Sequence, residues 1–381
     1  MYSLDGYGKM IADRVRVEAY AEALRRTIRP GAVVVDIGTG PGIMAVLACQ
    51  LGAGRVYAIE PDAIIQVARE IAAANHCADR IEFIEKFSTD VTLPEKAEVI
   101  VSDLRGVLPI FNGHIPAIAD ARRRFLAPQG VLIPRRDTMY AAIVEAPEFY
   151  SGIVNPWEQN LLGQELGPAR RRAVNTTRRL WPTREQLLTK PQILATLDYM
   201  AVENPDFRGE LSCRTEREGT GHGIVAWFDA ELADGITFSN APGAPEVIYG
   251  SLLFPWTNPV PLRANQAVCV KLAAKLMEED CLWRWSSQIE AVNGTGAGIR
   301  FEQSEFGGAV FSPARLQKSA SNWVPQLSEE GRIRVRALEL MDGAATLRQI
   351  CTRLAVEFPQ RFACWEKALA YVGTLSQECG Q

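Results

Sequence analysis

The chain has 381 residues, a mass of 42.0 kDa, 47% hydrophobic and 23% charged residues, enough for two or three domains and a large core. A net charge of -4 gives no general basic field for nucleic acid or an anionic membrane, and no apolar run approaches the roughly 18 residues that span a bilayer. Eight cysteines without a Cys-x-x-Cys and only three histidines argue against a disulfide framework or a metal centre. The opening Met1-Tyr-Ser-Leu-Asp has neither the basic head nor the apolar stretch of a signal peptide. The expectation is a cytoplasmic, metal-free globular protein.

In chain order, Met10–Ile28 reads as one helix with Val17, Tyr20, Leu24 and Ile28 on a single face. Short β-branched runs follow at Ala32–Ile37, Arg55–Glu60, Ile81–Glu85 and Ala97–Ser102. Helical stretches at Gly42–Gln50 and Asp62–Ala74 separate the first three. That rhythm predicts a parallel sheet covered on both faces over residues 1–145.

After Ala146 prolines punctuate the chain and helical periodicity fades. Strands are expected at Thr196–Glu203, Gly209–Glu216, Gly223–Leu232, Ile248–Phe254, Gln266–Leu276 and Leu282–Val292. Strands without intervening helices predict an antiparallel barrel or sandwich over 146–310. His222, between two glycines, reads as a turn residue, and Trp227, Phe228, Trp283 and Trp285 as core of that domain. Arg170-Arg-Arg172 reads as a solvated loop face. Residues 325–381 turn helical again: Gly343 ends one helix, Thr346 and Gln349 form a capping box opening the next, and Pro359 follows it.

The sharpest local signal is Val33-Val-Val-Asp-Ile-Gly-Thr-Gly-Pro-Gly-Ile43, a buried strand running through three alternate glycines into a helix. Glycine lets the backbone turn tightly and approach a ligand, and the helix start offers unpaired N–H groups. The spacing is not the G-x-G-x-x-G of dinucleotide binders. Glu60 closes the second strand, where a carboxylate accepts both ribose hydroxyls of a nucleoside. A nucleoside whose tail carries a carboxylate, S-adenosyl-L-methionine, fits this pattern.

Asp36–Gly42, Val56-Tyr-Ala-Ile-Glu60, Val99-Ile-Val-Ser-Asp103, Leu126–Pro134, Met10–Arg16 and His222–Asp229 together resemble protein arginine methyltransferases, over roughly residues 1–295. The resemblance implies a Rossmann-like methyltransferase domain, then a β-barrel walling the acceptor groove, and a homodimer formed through an arm, for which Pro182–Met200 is the candidate. It implies that Arg16 pairs with the methionine carboxylate, that Asp36, Gly38, Gly40 and Glu60 hold the nucleoside, and that Phe87 and Ser88 flank adenine. Met10 matches the family's active-site methionine. Val335–Ile350 faintly resembles the peptide-binding helical modules of the PqqD type.

The acceptor side departs from that pattern. The family holds a guanidinium between two glutamates; here Asp103 takes the first place, one methylene shorter, and Asn112 the second, uncharged. Arg105 adds a positive charge, expected to repel a guanidinium by on the order of a few kcal/mol at close range. Pro245–Gly250 stands where the family carries Thr-His-Trp. The expectation is therefore a methyltransferase acting on a non-guanidine nitrogen or oxygen of a protein, peptide or small molecule. Asp103 would orient His114 as general base, and Arg105 would bind an acceptor carboxylate or phosphate. The alternatives are an arginine methyltransferase relying on Asp103, and an inactive cofactor-binding scaffold.

Overall fold

The computed structural model describes residues 3–111, 113–159, 162–277, 280–291 and 298–380, so Asn112 lies outside the described residues. The chain divides into two compact units, Met1–Ala309 and Val310–Gln381.

The first unit opens with helices α1 (Leu4–Ala12) and α2 (Arg14–Thr27). The single helix expected from Met10 is broken at Asp13, because the Asp13 carboxylate caps α2, accepting the Arg16 N–H at 3.1 Å. The predicted face of α2 is buried: Tyr20 and Leu24 are fully covered, each gaining roughly 1.5–3 kcal/mol by burial.

Then come β1 (Val33–Ile37), α3 (Ile43–Gln50), β2 (Arg55–Ile59), α4 (Ile65–Ala74), β3 (Ile81–Ile84), β4 (Ala97–Ser102), α5 (His114–Arg124) and β5 (Leu126–Ile133). The strands pair in parallel in the order β3-β2-β1-β4-β5. Their near-continuous apolar runs serve both faces. Val34, Val56, Val99 and Val101 belong to the core that takes in α2 and α3; Val35, Tyr57, Ile59, Ile100 and Leu132 join a second core with Ile118, Ala121 and Phe125. The chain reverses direction across the sheet between β1 and β4, the place where such sheets open a ligand crevice at their carboxyl ends.

The remainder of this unit comprises β6 (Arg136–Val144), α6 (Pro147–Glu158), α7 (Gly167–Ala173), β7 (Arg178–Leu180), β8 (Gln192–Asp198), β9 (Phe207–Arg214), β10 (Gly219–Ala233), β11 (Ile236–Ser239), β12 (Ser251–Leu262), β13 (Ala267–Met277), β14 (Asp280–Ile289), β15 (Ile299–Ser304) and α8 (Glu305–Gly308). Two antiparallel sheets result: β7-β12-β10-β6-β8 with β11 on β10, and β15-β14-β13-β9. The antiparallel region thus starts at Arg136, about ten residues before the rhythm of the sequence changes, because β6 pairs with β10 along nine residue pairs, Arg136↔Glu231 to Val144↔Gly223.

The aromatics expected inside are inside. Phe254 packs edge-on against Trp283 and Trp285, with ring centroids 5.1 and 5.6 Å apart, and the Trp256 indole donates to Ser287 Oγ at 2.8 Å. The result is a barrel-like domain.

Three readings are corrected. His222 is not in a turn: it lies within β10 at a register shift, buried, its Nδ1 accepting the Ala146 N–H at 3.2 Å. The 182–200 stretch is not a free arm, since β8 is hydrogen-bonded to β6. Arg170 is on a helix rather than a loose loop, held by Glu158, the Thr257 carbonyl and Asn258.

The second unit contains α9 (Pro313–Lys318), α10 (Glu329–Glu339), α11 (Leu347–Glu357) and α12 (Trp365–Cys379). Ile333, Ala337, Ile350, Leu354, Ala368 and Val372 form its own core. The capping box at Thr346 and Gln349 is present, and Gly343 adopts a left-handed φ of 79° between α10 and α11. Among the described residues no helix is long and apolar enough to cross a membrane.

Candidate active site

The cofactor half of the site is built by the turn after β1. Gly38, Gly40 and Gly42 have φ of 72°, 54° and 82°, all left-handed, which is why glycine stands at each. A Cβ on Gly40 would sit 2.9 Å from the Tyr7 ring, and one on Gly38 would sit 2.4 Å from Leu104 Cδ2. Asp36 braces the turn from below, accepting from Thr39 Oγ1 at 2.6 Å and from the Ala45 N–H. Burial pushes its carboxyl up to about 7, against those hydrogen bonds.

Glu60 stands at the end of β2, beside the turn. One carboxylate oxygen accepts the Gly40 N–H at 3.0 Å and the other the Asp62 N–H at 3.1 Å. Burial raises its pKa above the ordinary range. A carboxylate has about four acceptor positions, so two remain for hydroxyl donors. Phe87 and Ser88 follow β3, the strand paired with β2, Phe87 exposed and Ser88 buried.

Arg16 is almost fully buried in α2. Its Nη1 is bound to the Asp103 carboxylate and its Nη2 donates to the Met10 carbonyl at 2.7 Å. Met10 thus enters through its backbone, at the end of α1. The Arg16 Nε–H is buried without a hydrogen-bond partner among the described residues, the Asp13 carboxylate standing 3.9 Å away. A left-handed glycine turn, a half-committed buried carboxylate and an unmet guanidinium donor fit a nucleoside that carries a carboxylate tail.

The acceptor half is different from what the sequence suggests. Asp103, just beyond β4, does not meet His114. Its Oδ1 accepts from Arg105 Nε at 3.2 Å, its Oδ2 from Arg16, and the Tyr249 hydroxyl lies 2.6 Å from both oxygens. Burial alone would raise the Asp103 pKa; Arg105, Arg16 and the Tyr249 hydroxyl outweigh it and hold the carboxylate below its usual range.

Arg105 is not a free charge in a pocket. Its side chain is wholly buried, with Nη1 donating to Asp137 at 2.8 Å and Nη2 to Tyr20 Oη at 2.5 Å. The repulsion of a guanidinium expected from it is accordingly offset by Asp137. His114 opens α5 as a buried residue bonded through Nε2 to Tyr199 Oη at 3.0 Å. Burial and then Arg105 push its pKa down to about 3, so it stays neutral and enclosed, and the general-base role fails on geometry.

Sequence reasoning missed Tyr249, Asp137, Tyr199 and the hydroxyl of Tyr20. Tyr249 sits in the stretch read only for a histidine and a tryptophan. Asn240 and Asp13 hold that stretch: Asn240 donates to the carbonyls of Val107 (3.0 Å) and Gly250 (2.5 Å), and Asp13 accepts the Ile248 N–H at 2.8 Å. Asp137 was detectable as a lone acid in the otherwise apolar inner face of β6.

A parallel sheet of this order, with a glycine turn after β1, an acid after β2 and a barrel-like antiparallel domain behind it, defines a Rossmann-like methyltransferase architecture. Residues 19–135 match the family model described as ribosomal protein L11 methyltransferase (PrmA), and residues 135–281 the arginine methyltransferase oligomerization subdomain. Among curated relatives, a probable protein arginine N-methyltransferase 6 of Arabidopsis thaliana is 29% identical over 234 residues, 59% of this chain and 54% of that protein. An arginine N(omega)-methyltransferase of Streptomyces achromogenes subsp. streptozoticus is 28% identical over 272 residues, 69% of this chain and 74% of that one. The chain therefore spans about half the length of the first relative and about three quarters of the second.

In fold it is similar to the Trypanosoma brucei PRMT1 enzyme-prozyme heterotetrameric complex with AdoHcy. The TM-score is 0.71 at 20% identity, covering 78% of this chain and 97% of that one. Over the span of the two family matches the chain is arginine methyltransferase-like.

Proposed function

We propose that the protein is an S-adenosyl-L-methionine-dependent methyltransferase of the arginine methyltransferase type. The observation that carries this reading is the convergence of the left-handed glycine turn, the strand-end Glu60 and the orphaned Arg16 Nε at the carboxyl ends of neighbouring strands. The names of the relatives and the AdoHcy in the trypanosome complex support it. Glu60 would take the ribose hydroxyls, Arg16 the carboxylate, and Phe87 and Ser88 the flanks of the adenine. When bound, the cofactor supplies a methyl group activated by a positively charged sulfur. The chain's own task is then to align a nucleophile with that methyl and to accommodate its proton.

The acceptor supported by the relatives is a guanidino nitrogen of arginine. Asp103, held ionised, is the acid that would attract the cation. A second reading, a non-guanidine nitrogen or oxygen, is favoured by one observation: Asp103 already accepts from two arginines and a tyrosine, leaving little capacity for a third cation. Cytoplasmic residence and a homodimer complete the proposal.

Incubation with S-adenosylmethionine and, in turn, free L-arginine, arginine-rich peptides, and amine or hydroxyl acceptors, read by mass spectrometry, tests it. A gain of one methyl mass on arginine supports the first reading, and methylation confined to other acceptors supports the second. Cofactor binding without any S-adenosylhomocysteine formation would leave only a scaffold.

A further inference from the structure

A continuous row of alternating charge runs through the interior: Arg16, Asp103, Arg105, Asp137. It runs from α2 through the segment after β4 into β6. Beyond Asp137 the row continues through neutral groups, since Asp137 Oδ2 accepts the Tyr199 hydroxyl at 2.6 Å and Tyr199 meets His114. The cofactor half of the site needs only the first member of this row. Arg105 and Asp137 have no evident part in it, and both side chains are completely enclosed.

Desolvating two ions costs several kcal/mol each, so a pair of this kind is weak evidence for stability. Its geometry explains it better. Arg105 uses one edge of its guanidinium to bind Asp137 and Tyr20 and its Nε to bind Asp103. Its central carbon stands 5.3 Å from the ring centroids of both Phe228 and Phe238, and 5.9 Å from that of Tyr249. A planar cation clamped on these sides cannot follow a moving carboxylate. Arg16, by contrast, is the group that would be shared with a cofactor carboxylate, so its hold on Asp103 is the one open to change.

We infer that Arg105, anchored by Asp137, is a positioning residue that fixes the Asp103 carboxylate in one orientation for the methyl acceptor, independently of cofactor binding at Arg16. The inference rests on the methyltransferase reading. It adds that the antiparallel domain, through Asp137 of β6 and Tyr249, sets the geometry of the acid.

The test is the full chain carrying Arg105→Met together with Asp137→Asn. This removes both buried charges at once and leaves Tyr199 an acceptor, so no orphaned ion remains. Circular dichroism establishes folding, calorimetry measures S-adenosylmethionine affinity, and 13C NMR follows the Asp103 carboxyl as it titrates. Expected are a native spectrum, a cofactor Kd within about threefold of wild type, and kcat on the accepted substrate lowered about 10–100-fold. The Asp103 titration should move up by about one pH unit or more, a tenfold gain in proton affinity.

Arg105→Lys, which keeps charge but not the fork, should fall between wild type and the double variant, and serves with the same titration if the double variant does not fold. An Asp103 titration unchanged in the variants, or turnover within threefold of wild type, overturns the inference. Should the wild type bind cofactor yet methylate none of the acceptors, the acceptor reading is lost, while the Asp103 titration still decides the role of Arg105.

Discussion

The two halves of the site lie at the carboxyl ends of the same sheet and are held by opposite means. The cofactor half is mostly backbone: three left-handed glycines, two N–H groups on Glu60, and Asp36 beneath them. Apart from Arg16, Phe87 and Ser88, it comes from residues 36–62. The acid half is almost wholly side chain, drawn from residues 16, 20, 103, 105, 137, 199 and 249 on α2, the parallel sheet and the antiparallel domain. A backbone device tolerates change around it but not at its few conformationally special positions. A row of compensating charges tolerates removal of a balanced pair far better than removal of one member.

The sharpest way to break this contrast is to unbalance the row. Arg105→Met alone leaves Asp137 wholly buried and without its cation, and should cost about 3–5 kcal/mol in denaturant unfolding. The balanced double variant should lose less than half of that.

The neutral end of the row predicts a pH effect. The folded-state pKa of His114 is about 3, below its ordinary value of 6.5. Between those values the unfolded chain takes up a proton that the folded chain refuses, so stability is full above pH 6.5 and falls as pH drops. The loss is about 1.4 kcal/mol per unit, or about 2 kcal/mol by pH 5. His114→Gln, unable to titrate, should flatten that acid limb in unfolding midpoints measured from pH 7 to 5.

In the cofactor half, Gly40→Ala forces a side chain onto a φ of 54° and against the Tyr7 ring. A cost of about 1–2 kcal/mol in stability is expected, with cofactor affinity down at least about tenfold by calorimetry. Outside both halves, Thr346→Ala removes the cap of α11 and should cost about 1 kcal/mol, confined to unfolding of the C-terminal unit.

What the sequence revealed follows the same division. β1 to β4 lie within a residue of the runs of β-branched residues, and the glycine turn and Glu60 stand where their spacing put them, because each is specified by neighbours in the chain. Asp103 was singled out, yet its partners were not. Pairing it with His114 rested on closeness in sequence, whereas two of its three partners, Arg16 and Tyr249, are 87 and 146 positions away. Arg105 illustrates the difficulty best. Read alone it is a cation that repels substrate; only the β6–β10 pairing that brings Asp137 beneath it turns it into an internal brace. His222 and the break at Asp13 failed for a related reason, since a strand bulge and a helix cap were decided by hydrogen bonds to distant or unexpected partners.

The central claim is that the glycine turn, Glu60 and Arg16 hold S-adenosylmethionine. Isothermal calorimetry on the full chain with wild type and Glu60→Ala tests it most directly. The account predicts one binding site in the wild type and a Kd at least about tenfold weaker in the variant, the loss of one or more hydrogen bonds to a charged acceptor. Absence of binding to the wild type, or equal affinity in the two proteins, would contradict it.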